Sequence, residues 1–231
     1  MENINRREEL LGYLKGVHFA SVSELAGVLY TSEATVRRDI AKLEAKGALK
    51  AVYGGVVITE YESESKPIYL RDRENSSLKE QIAEKAAKMI KDNTTVFLDS
   101  SSTVRRMCKY IRSRKNLTVV TNNLRILNEL AASEVKLVCT GGTLVRGDDC
   151  FVGHIVEDFL RKMRFDAVFF SSRGISDSGD ITDSDEQELS ARLAALQQAR
   201  AKYFLADSSK CGNEYPYVLC NLKDITGSFI L

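Results

Sequence analysis

Two sets of side chains in this sequence have the chemistry to bind phosphate groups. One set lies near the N-terminus and combines hydroxyls with cations: Ser32, Thr35, Arg37, Arg38, Lys42 and Lys50. The other set follows short β-prone runs in the second half of the chain, where hydroxyls, glycines and cations recur. Arg, Lys and hydroxyl groups all donate hydrogen bonds to anionic oxygens. The two sets indicate two different anionic ligands, and the elements around each set decide which ligand it takes.

The first set lies on a predicted helix over residues 32–47. Apolar residues recur there at helical spacing and form one stripe: Val36, Ile40 and Leu43. Ser32 can cap the start of the helix, and Gly47 can supply the left-handed residue that ends it. The opposite side then carries the hydroxyl and the cations. A helix that buries one side and points Thr and Arg outward suits the major groove of DNA.

The residues on either side of this helix predict a winged helix-turn-helix. A short capped helix over residues 21–29 precedes it, and only Tyr30 and Thr31 separate the two. After the helix, two β-prone runs surround a glycine pair at residues 54 and 55 and predict a hairpin, the wing. Lys50 and Tyr53 on this hairpin are expected to reach the phosphates or sugar edges of double-stranded DNA.

The second half of the chain has a different pattern. From residue 78 onward, helical stretches alternate with β-prone runs at 94–98, 117–120, 135–139, 167–170, 202–206 and 225–231. This alternation predicts a Rossmann-like α/β domain with a mostly parallel sheet covered on both faces. Residues 59–77 lack apolar periodicity and are predicted to be a polar linker. The predicted domains are therefore a DNA-binding domain, 1–58, and an effector-sensing and oligomerisation domain, 78–231.

The candidate pocket lies beyond the carboxyl ends of the predicted strands, because parallel sheets bind ligands there. The residues at those ends are Asp99, Ser100, Ser101, Ser102, Thr103, Thr121, Asn122, Gly141, Gly142, Arg173 and Lys210. Hydroxyls at a helix start, and glycines that allow close backbone approach, favour an anionic ligand. The composition predicts a pocket for a phosphorylated metabolite.

Composition and charge limit the other function classes. The net charge is only +1, and residues 1–55 carry eight basic against seven acidic side chains, so DNA affinity must come from a local patch. Five widely spaced cysteines and two histidines argue against a disulfide framework and against a metal site. No stretch approaches the roughly 18 apolar residues of a membrane span, so we expect no membrane partner and a cytoplasmic location.

Two acidic groups are expected to be solvated rather than catalytic or metal-binding. Asp148 and Asp149 form a carboxylate pair, and Asp183 begins a cluster that continues to Glu188. Turns and helix N-termini are commonly enriched in acids, which accounts for both groups without chemistry.

The segments above resemble the DeoR family of bacterial transcriptional regulators. The run from Ser32 to Ile40, with its Thr-Val-Arg-Arg-Asp core, is similar to the N-terminal domain of that family. Residues 78–230 are similar to its effector domain, which is itself similar to the ribose-5-phosphate isomerase and CoA-transferase group of folds. The resemblance implies that the loop at 99–103 holds a sugar phosphate, and it adds Glu188 to the effector site.

The sequence departs from the family pattern at the pocket. Ser101 and Ser102 stand where the phosphate loop usually has Gly and Thr. Arg173 follows a strand where the family usually has a Gly-rich run, and it can grip a carboxylate or phosphate. Arg192 stands where a Lys is common. These departures predict either an unusual ligand or an unusual way of binding a sugar phosphate.

We therefore expect a sequence-specific transcriptional regulator, a repressor, that binds a double-stranded DNA operator as a homodimer or homotetramer. A phosphorylated sugar or related metabolite is expected to modulate its DNA binding, with no catalytic residue, cofactor or metal. Two alternatives stay open. One is a sugar-phosphate isomerase-like enzyme, for which Asp207 and Lys210 are the acid/base candidates. The other is a winged-helix regulator with a vestigial pocket and a protein partner.

Overall fold

The computed structural model describes residues 2–17, 19–45, 48–52, 55–58 and 68–231. The chain divides into two compact units, Met1–Ser65 and Lys66–Leu231. Of the sequence predictions, Gly47, Tyr53, Gly54 and residues 59–67 of the linker lie outside the described residues.

The smaller unit contains three helices and a three-stranded antiparallel sheet among its described residues. In chain order these are α1 (Glu2–Val17), β1 (Phe19–Ala20), α2 (Val22–Val28), α3 (Glu33–Glu44), β2 (Leu49–Val52) and β3 (Gly55–Ile58). The sheet order is β1-β3-β2, so the predicted hairpin forms and gains a third strand. Leucines from α1 and α2 pack with the apolar stripe of α3 around one buried core. This is the winged helix-turn-helix that the sequence predicts.

Local chemistry sets the boundaries of α2 and α3. The Ser21 hydroxyl accepts from the Glu24 backbone N–H at 3.1 Å, and the Glu24 carboxylate accepts from the Ser21 N–H, which forms a capping box. Ser32 caps α3 by accepting from the Thr35 N–H at 3.3 Å. Gly55 has no room for a side chain, because a Cβ there would lie 2.3 Å from the Ala20 carbonyl oxygen.

The larger unit is built on a six-stranded, fully parallel sheet in the order β14-β12-β9-β4-β5-β6. Its strands are β4 (Thr95–Leu98), β5 (Thr118–Thr121), β6 (Lys136–Cys139), β9 (Phe165–Phe170), β12 (Ala199–Ala206) and β14 (Gly227–Ile230). Its helices are α4 (Ile68–Arg73), α5 (Ser76–Ala87), α6 (Ser102–Arg105), α7 (Cys108–Ile111), α8 (Leu124–Leu130), α9 (His154–Arg161) and α10 (Glu186–Leu196).

Apolar side chains alternate along the strands into two separate cores. Val96 and Phe169 face one core, which α5 to α8 cover, while Phe97 and Phe170 face the other, which α9 and α10 cover. Central strands with both faces covered read as near-continuous apolar runs, as β4 and β9 do here.

Two small antiparallel sheets complete the larger unit, and the sequence did not predict either. β7 (Thr143–Val145) pairs with β8 (Cys150–Val152), and β10 (Gly174–Ile175), β11 (Asp180–Asp183) and β13 (Tyr217–Asn221) form the second sheet. Another difference concerns the linker predicted over 59–77. Its residues from 68 onward lie in α4, the following turn and the start of α5, because Ile68 is buried and Arg71 pairs with Asp148. Tertiary contacts, rather than apolar periodicity, hold this segment in the larger unit.

Candidate functional site

The outer face of α3 presents the cations of the first set to solvent. Arg37, Arg38 and Lys42 are exposed, while Val36 and Ile40 on the opposite side are buried. Within the described residues, Arg37 pairs with an exposed i,i+4 partner, Glu33, at 3.5 Å, and such pairs contribute little. The Arg38 guanidinium donates to the Ala34 carbonyl oxygen at 3.2 Å, which orients it along the helix surface. These side chains can therefore exchange their present contacts for nucleic-acid groups at small cost.

The Asp that follows the two arginines has a structural role that the sequence analysis missed. Asp39 is 4% exposed, and its carboxylate accepts from Arg6 at 2.7 Å, with Arg7 at 3.7 Å. This ion pair joins α1 to α3 and fixes the rotation of α3 about its own axis. The sequence contains a signal for this structural role, because Asp39 lies next to Ile40, at the edge of the apolar stripe of α3.

On the wing, Lys50 is exposed on β2. The neighbouring Ala51 N–H donates to the Glu44 carboxylate at 2.7 Å, which ties β2 to the end of α3. Ser32 and Thr35 lie at the start of α3, where their hydroxyl oxygens are 3.0 Å apart. The structure thus places four cations and two hydroxyls of α3 and the wing on exposed or partly exposed positions of one unit.

In the larger unit, the carboxyl ends of β4 and β9 lie side by side, although Asp99 and Ser171 at those ends are 72 positions apart in the chain. This is the point where the strand order reverses, since β5 and β6 extend the sheet on one side of β4, and β9 lies on the other. Asp99 is 1% exposed and uses both oxygens there. It accepts from the Ser101 N–H at 2.9 Å, the Ser171 N–H at 2.9 Å and Arg192 at 3.1 Å.

Arg192, from α10, is the centre of the site and was not among the predicted site residues. Its guanidinium donates to Asp99, to Asp183 at 2.7 Å and to Glu188 at 2.5 Å. Burial alone would lower the pKa of Arg192, but these three carboxylates raise it above its ordinary value. The acidic cluster was expected to be solvated, and that expectation is wrong for Asp183 and Glu188, which are 1% and 3% exposed.

Arg173 closes the network from the loop after β9. Its Nε donates to Asp183 at 3.0 Å, and its Nη2 lies 3.8 Å from Glu188 Oε1. Neither Arg173 Nη2 nor Glu188 Oε1 has a hydrogen-bond partner within the described part of the chain, and both atoms are buried. Burial alone would raise the pKa of Glu188, but Arg192, Arg71 and Arg173 hold it below its ordinary value. A ligand hydroxyl can donate to this carboxylate and accept from this guanidinium.

Lys210 brings a second kind of cation to the same edge of the sheet. Its ammonium donates to the Ser171 hydroxyl at 2.9 Å and to the Ser172 carbonyl oxygen. Burial, together with the nearby charge of Lys79, lowers the pKa of Lys210 to about 7. Asp207 is held in place by the Asn75 side-chain amide at 2.8 Å. A lysine in this state gains a proton when an anion binds beside it.

The loop after β4 brings four of the predicted residues into this site. The Ser100 hydroxyl donates to Glu188 at 3.1 Å, and Ser101 caps α6 by accepting from the Val104 N–H at 3.2 Å. Ser102 and Thr103 are buried, and the Thr103 hydroxyl lacks a hydrogen-bond partner among the described residues.

The remaining predicted residues lie farther along the sheet. The Thr121 hydroxyl donates to the Leu98 carbonyl oxygen at 2.7 Å, and the Asn122 amide donates to that of Phe151 at 2.9 Å. Gly141 and Gly142 follow β6, two strands from β4, with φ of 71° and 109°. Among the described residues, no hydrogen bond links either glycine to Arg192, Arg173 or Lys210, so the structure does not join them to the network.

Helix α4 is clamped to the elements that carry these loops. Asp72 accepts from Arg105 of α6 at 3.0 Å and from Arg125 of α8 at 2.6 Å, and Arg71 pairs with Asp148. Asp148 is 5% exposed, so its expected place in a solvated turn is wrong as well. Because α6 begins at Ser102, within the 99–103 segment, the pair between Asp72 and Arg105 links α4 directly to that segment.

Two further findings concern other ligand classes. Among the described residues, no group of three or more His, Cys, Asp or Glu side chains is arranged to hold a metal ion. None of the helices in the same residues combines the length and apolar character needed to cross a membrane.

Comparison with known proteins gives matches over both units. A family model described as the DeoR-like helix-turn-helix domain matches residues 6–62, and one described as the DeoR C terminal sensor domain matches residues 74–229. The HTH-type transcriptional regulator IolR of Bacillus subtilis is 34% identical over 208 residues, covering 90% of this chain and 82% of the relative.

Two other relatives cover nearly the whole chain. The lactose phosphotransferase system repressor of Staphylococcus epidermidis is 30% identical over 230 residues, covering 97% of this chain and 90% of the relative. The L-fucose operon activator of Haemophilus influenzae is 32% identical over 228 residues, covering 98% and 91%.

Proposed function

Because the chain belongs to the DeoR family of transcriptional regulators, we propose that it represses transcription from a DNA operator and that a phosphorylated sugar or related metabolite releases it. The observation that carries the proposal is the pairing of an exposed cationic helix face in one unit with a buried, charge-lined site at a strand-order reversal in the other. The names of the two sugar-operon relatives support a sugar-derived effector.

For the DNA contact, Ser32, Thr35, Arg37 and Arg38 contact bases and nearby phosphates in the major groove. Lys42, Lys50 and Tyr53 bind the backbone and fix the register. One winged helix-turn-helix makes few contacts with DNA. A homodimer or homotetramer is therefore needed to bring two of these domains to paired half-sites.

For the effector, the loop at 99–103 and Lys210 bind the phosphate, and the pair formed by Arg173 and Glu188 binds a hydroxyl. The buried Thr103 hydroxyl and the buried atoms of Arg173 and Glu188, which have no hydrogen-bond partner among the described residues, support this assignment. Asp99 acts as a positioning residue, since its oxygens are already occupied by Ser101, Ser171 and Arg192. Because Arg192 and Arg173 hold the pKa of Asp183 and that of Glu188 below their ordinary values, these two carboxylates are poor proton acceptors, which supports binding without turnover.

Helix α4 couples the two events. It begins at Ile68, on the chain segment that leads from the DNA-binding unit, and Asp72 ties it to α6 and α8 beside the effector loops. Effector binding changes the equilibrium between two positions of α4, and DNA binds one of them better.

A thermal-shift screen of pentose and hexose phosphates on the full chain tests the effector assignment. We expect one class of sugar phosphate to raise the Tm, as a ligand that binds the native state does, with no product formed over hours. Turnover of that compound would instead favour the isomerase. A chain whose Tm no phosphorylated metabolite changes would point to the regulator with a vestigial pocket.

A further inference from the structure

Tyr30, in the turn between α2 and α3, has a backbone conformation that its residue type disfavours. Its φ is 47°, in the left-handed region where a side chain with a Cβ crowds its own backbone. The turn itself is fixed by backbone hydrogen bonds, from the Tyr30 N–H to Gly27 and from the Thr31 N–H to Ala26. Any residue can make these bonds, and Gly or Asn would make them with less strain.

Packing does not account for a tyrosine at this position. The side chain is 97% exposed, the largest exposed fraction among the large hydrophobic residues of the described chain. The Tyr30 side chain makes no hydrogen bond within the described part of the chain. The strain of the turn and the exposure of an aromatic ring are therefore both unfavourable in the isolated protein.

The position of the turn indicates what offsets these costs. Tyr30 lies two residues before Ser32, the cap of α3, on the chain that leads into the recognition helix. When the N-terminal half of such a helix enters the major groove, the residues just before it meet the phosphates at the groove wall. Tyrosine is a rigid side chain with one hydroxyl donor, and it is among the residues that donate to phosphate oxygens.

We propose that Tyr30 is a DNA-backbone contact, whose hydroxyl donates a hydrogen bond to a phosphodiester oxygen beside the groove that α3 enters. This inference rests on the proposed DNA-binding function. It assigns to Tyr30 a register-fixing role that is independent of base sequence, because every nucleotide carries the same phosphate.

The test measures DNA affinity and stability together, with the full chain and a random-sequence 30-base-pair duplex. Tyr30→Asn is expected to weaken binding about tenfold to a hundredfold, the effect of one lost hydrogen bond to a charged group. Its Tm should equal or exceed that of the wild type, because Asn adopts the left-handed turn more readily. Tyr30→Phe is expected to weaken binding by a similar factor with an unchanged Tm.

Controls separate this inference from the function on which it rests. Tyr217→Phe removes a hydroxyl from β13 of the larger unit, the sensor unit, and should leave DNA affinity unchanged. Wild-type affinity in both Tyr30 variants, with Arg38→Ala strongly impaired, would overturn the Tyr30 assignment alone. A wild-type chain that does not bind duplex DNA at low salt would overturn the proposed function itself. Weaker binding by Tyr30→Asn but not Tyr30→Phe would show a ring contact and contradict the hydrogen bond.

Discussion

The arginines on α3 and the arginine at the centre of the larger unit's site carry the same guanidinium group but have opposite roles. On α3, Arg37 is 67% exposed and has one weak partner, while in the sensor unit Arg192 is 5% exposed and has three carboxylate partners. An exposed guanidinium keeps its hydration and its freedom until a phosphate or base arrives, and salt screens it. A buried guanidinium already donates its hydrogen bonds to neighbouring carboxylates, and it holds those carboxylates in place. The comparison shows that burial and partners, not residue type, decide which arginines recognise a ligand.

The largest effect is expected when the buried arginine, Arg192, is removed. Arg192→Ala leaves Asp99, Asp183 and Glu188 buried without their counter-ion, and should destabilise the sensor unit by about 3–5 kcal/mol. Hydrogen exchange of the full chain in peptides from β4, β9 and β12 measures it. Arg200→Ala is the matched control, since Arg200 is 83% exposed beside Asp166, and should change stability by less than about 0.5 kcal/mol. Equal effects of the two variants would break the comparison.

The exposed arginines should show the reverse behaviour. Arg38→Ala is expected to weaken operator binding by about 1–3 kcal/mol, the range for a lost base contact, while the Tm stays within error of the wild type. Fluorescence anisotropy with labelled DNA measures the affinity. Arg161→Ala removes an equal charge from the surface of α9 and should leave affinity unchanged. Retained operator affinity in the Arg37→Ala, Arg38→Ala double variant would refute the assignment of α3.

Lys210 extends the comparison, because its charge depends on pH. Its pKa is about 7 in the structure, and a bound phosphate raises it, so the complex takes up a proton. Affinity for the sugar phosphate should therefore fall as pH rises from 7 to 9, by up to about tenfold per pH unit. Calorimetric titration across this range measures the slope. Lys210→Arg keeps its charge throughout and should give a flat profile; a wild-type profile that is equally flat would remove Lys210 from the phosphate site.

The smallest expected effect concerns communication between the units. Asp72→Asn weakens the ion pairs of α4 with Arg105 and Arg125, and should reduce the effect of sugar phosphate on DNA affinity by about 0.5–2 kcal/mol. Both ligands should still bind, as separate titrations check. Asp158→Asn, on exposed α9, is the control that should keep full coupling. Undiminished coupling in Asp72→Asn would exclude α4 as the connecting element.

The parts of the fold that depend on local pattern were predictable. The stripe of α3, the Ser21 and Ser32 caps and all six strands of the parallel sheet follow from spacing within a few residues. The strand β10 has only two residues, and its sheet forms through pairing with distant residues of β11 and β13, which no local pattern reports. Residues 68–77 were misassigned because the anchors Ile68 and Asp72 act through tertiary contacts.

The sequence predicted where the candidate site lies, but not how its charged groups pair. Strand ends located Asp99, Arg173 and Lys210, and the structure brings them to one edge of the sheet. The pairing of Arg192 with Asp99 spans 93 residues, so sequence alone left open whether the acids were solvated or neutralised. The pKa of Lys210 likewise depends on burial, which only the folded structure supplies.

The most direct test of the account measures operator affinity of the full chain by anisotropy, with and without the sugar phosphate that most raises its Tm. The account predicts that a saturating concentration weakens operator binding at least tenfold, within the usual range of coupling energies. It also predicts that the unphosphorylated sugar has no effect. Operator binding that stays unchanged with a sugar phosphate demonstrably bound would contradict the central claim that the sensor site controls the DNA-binding unit.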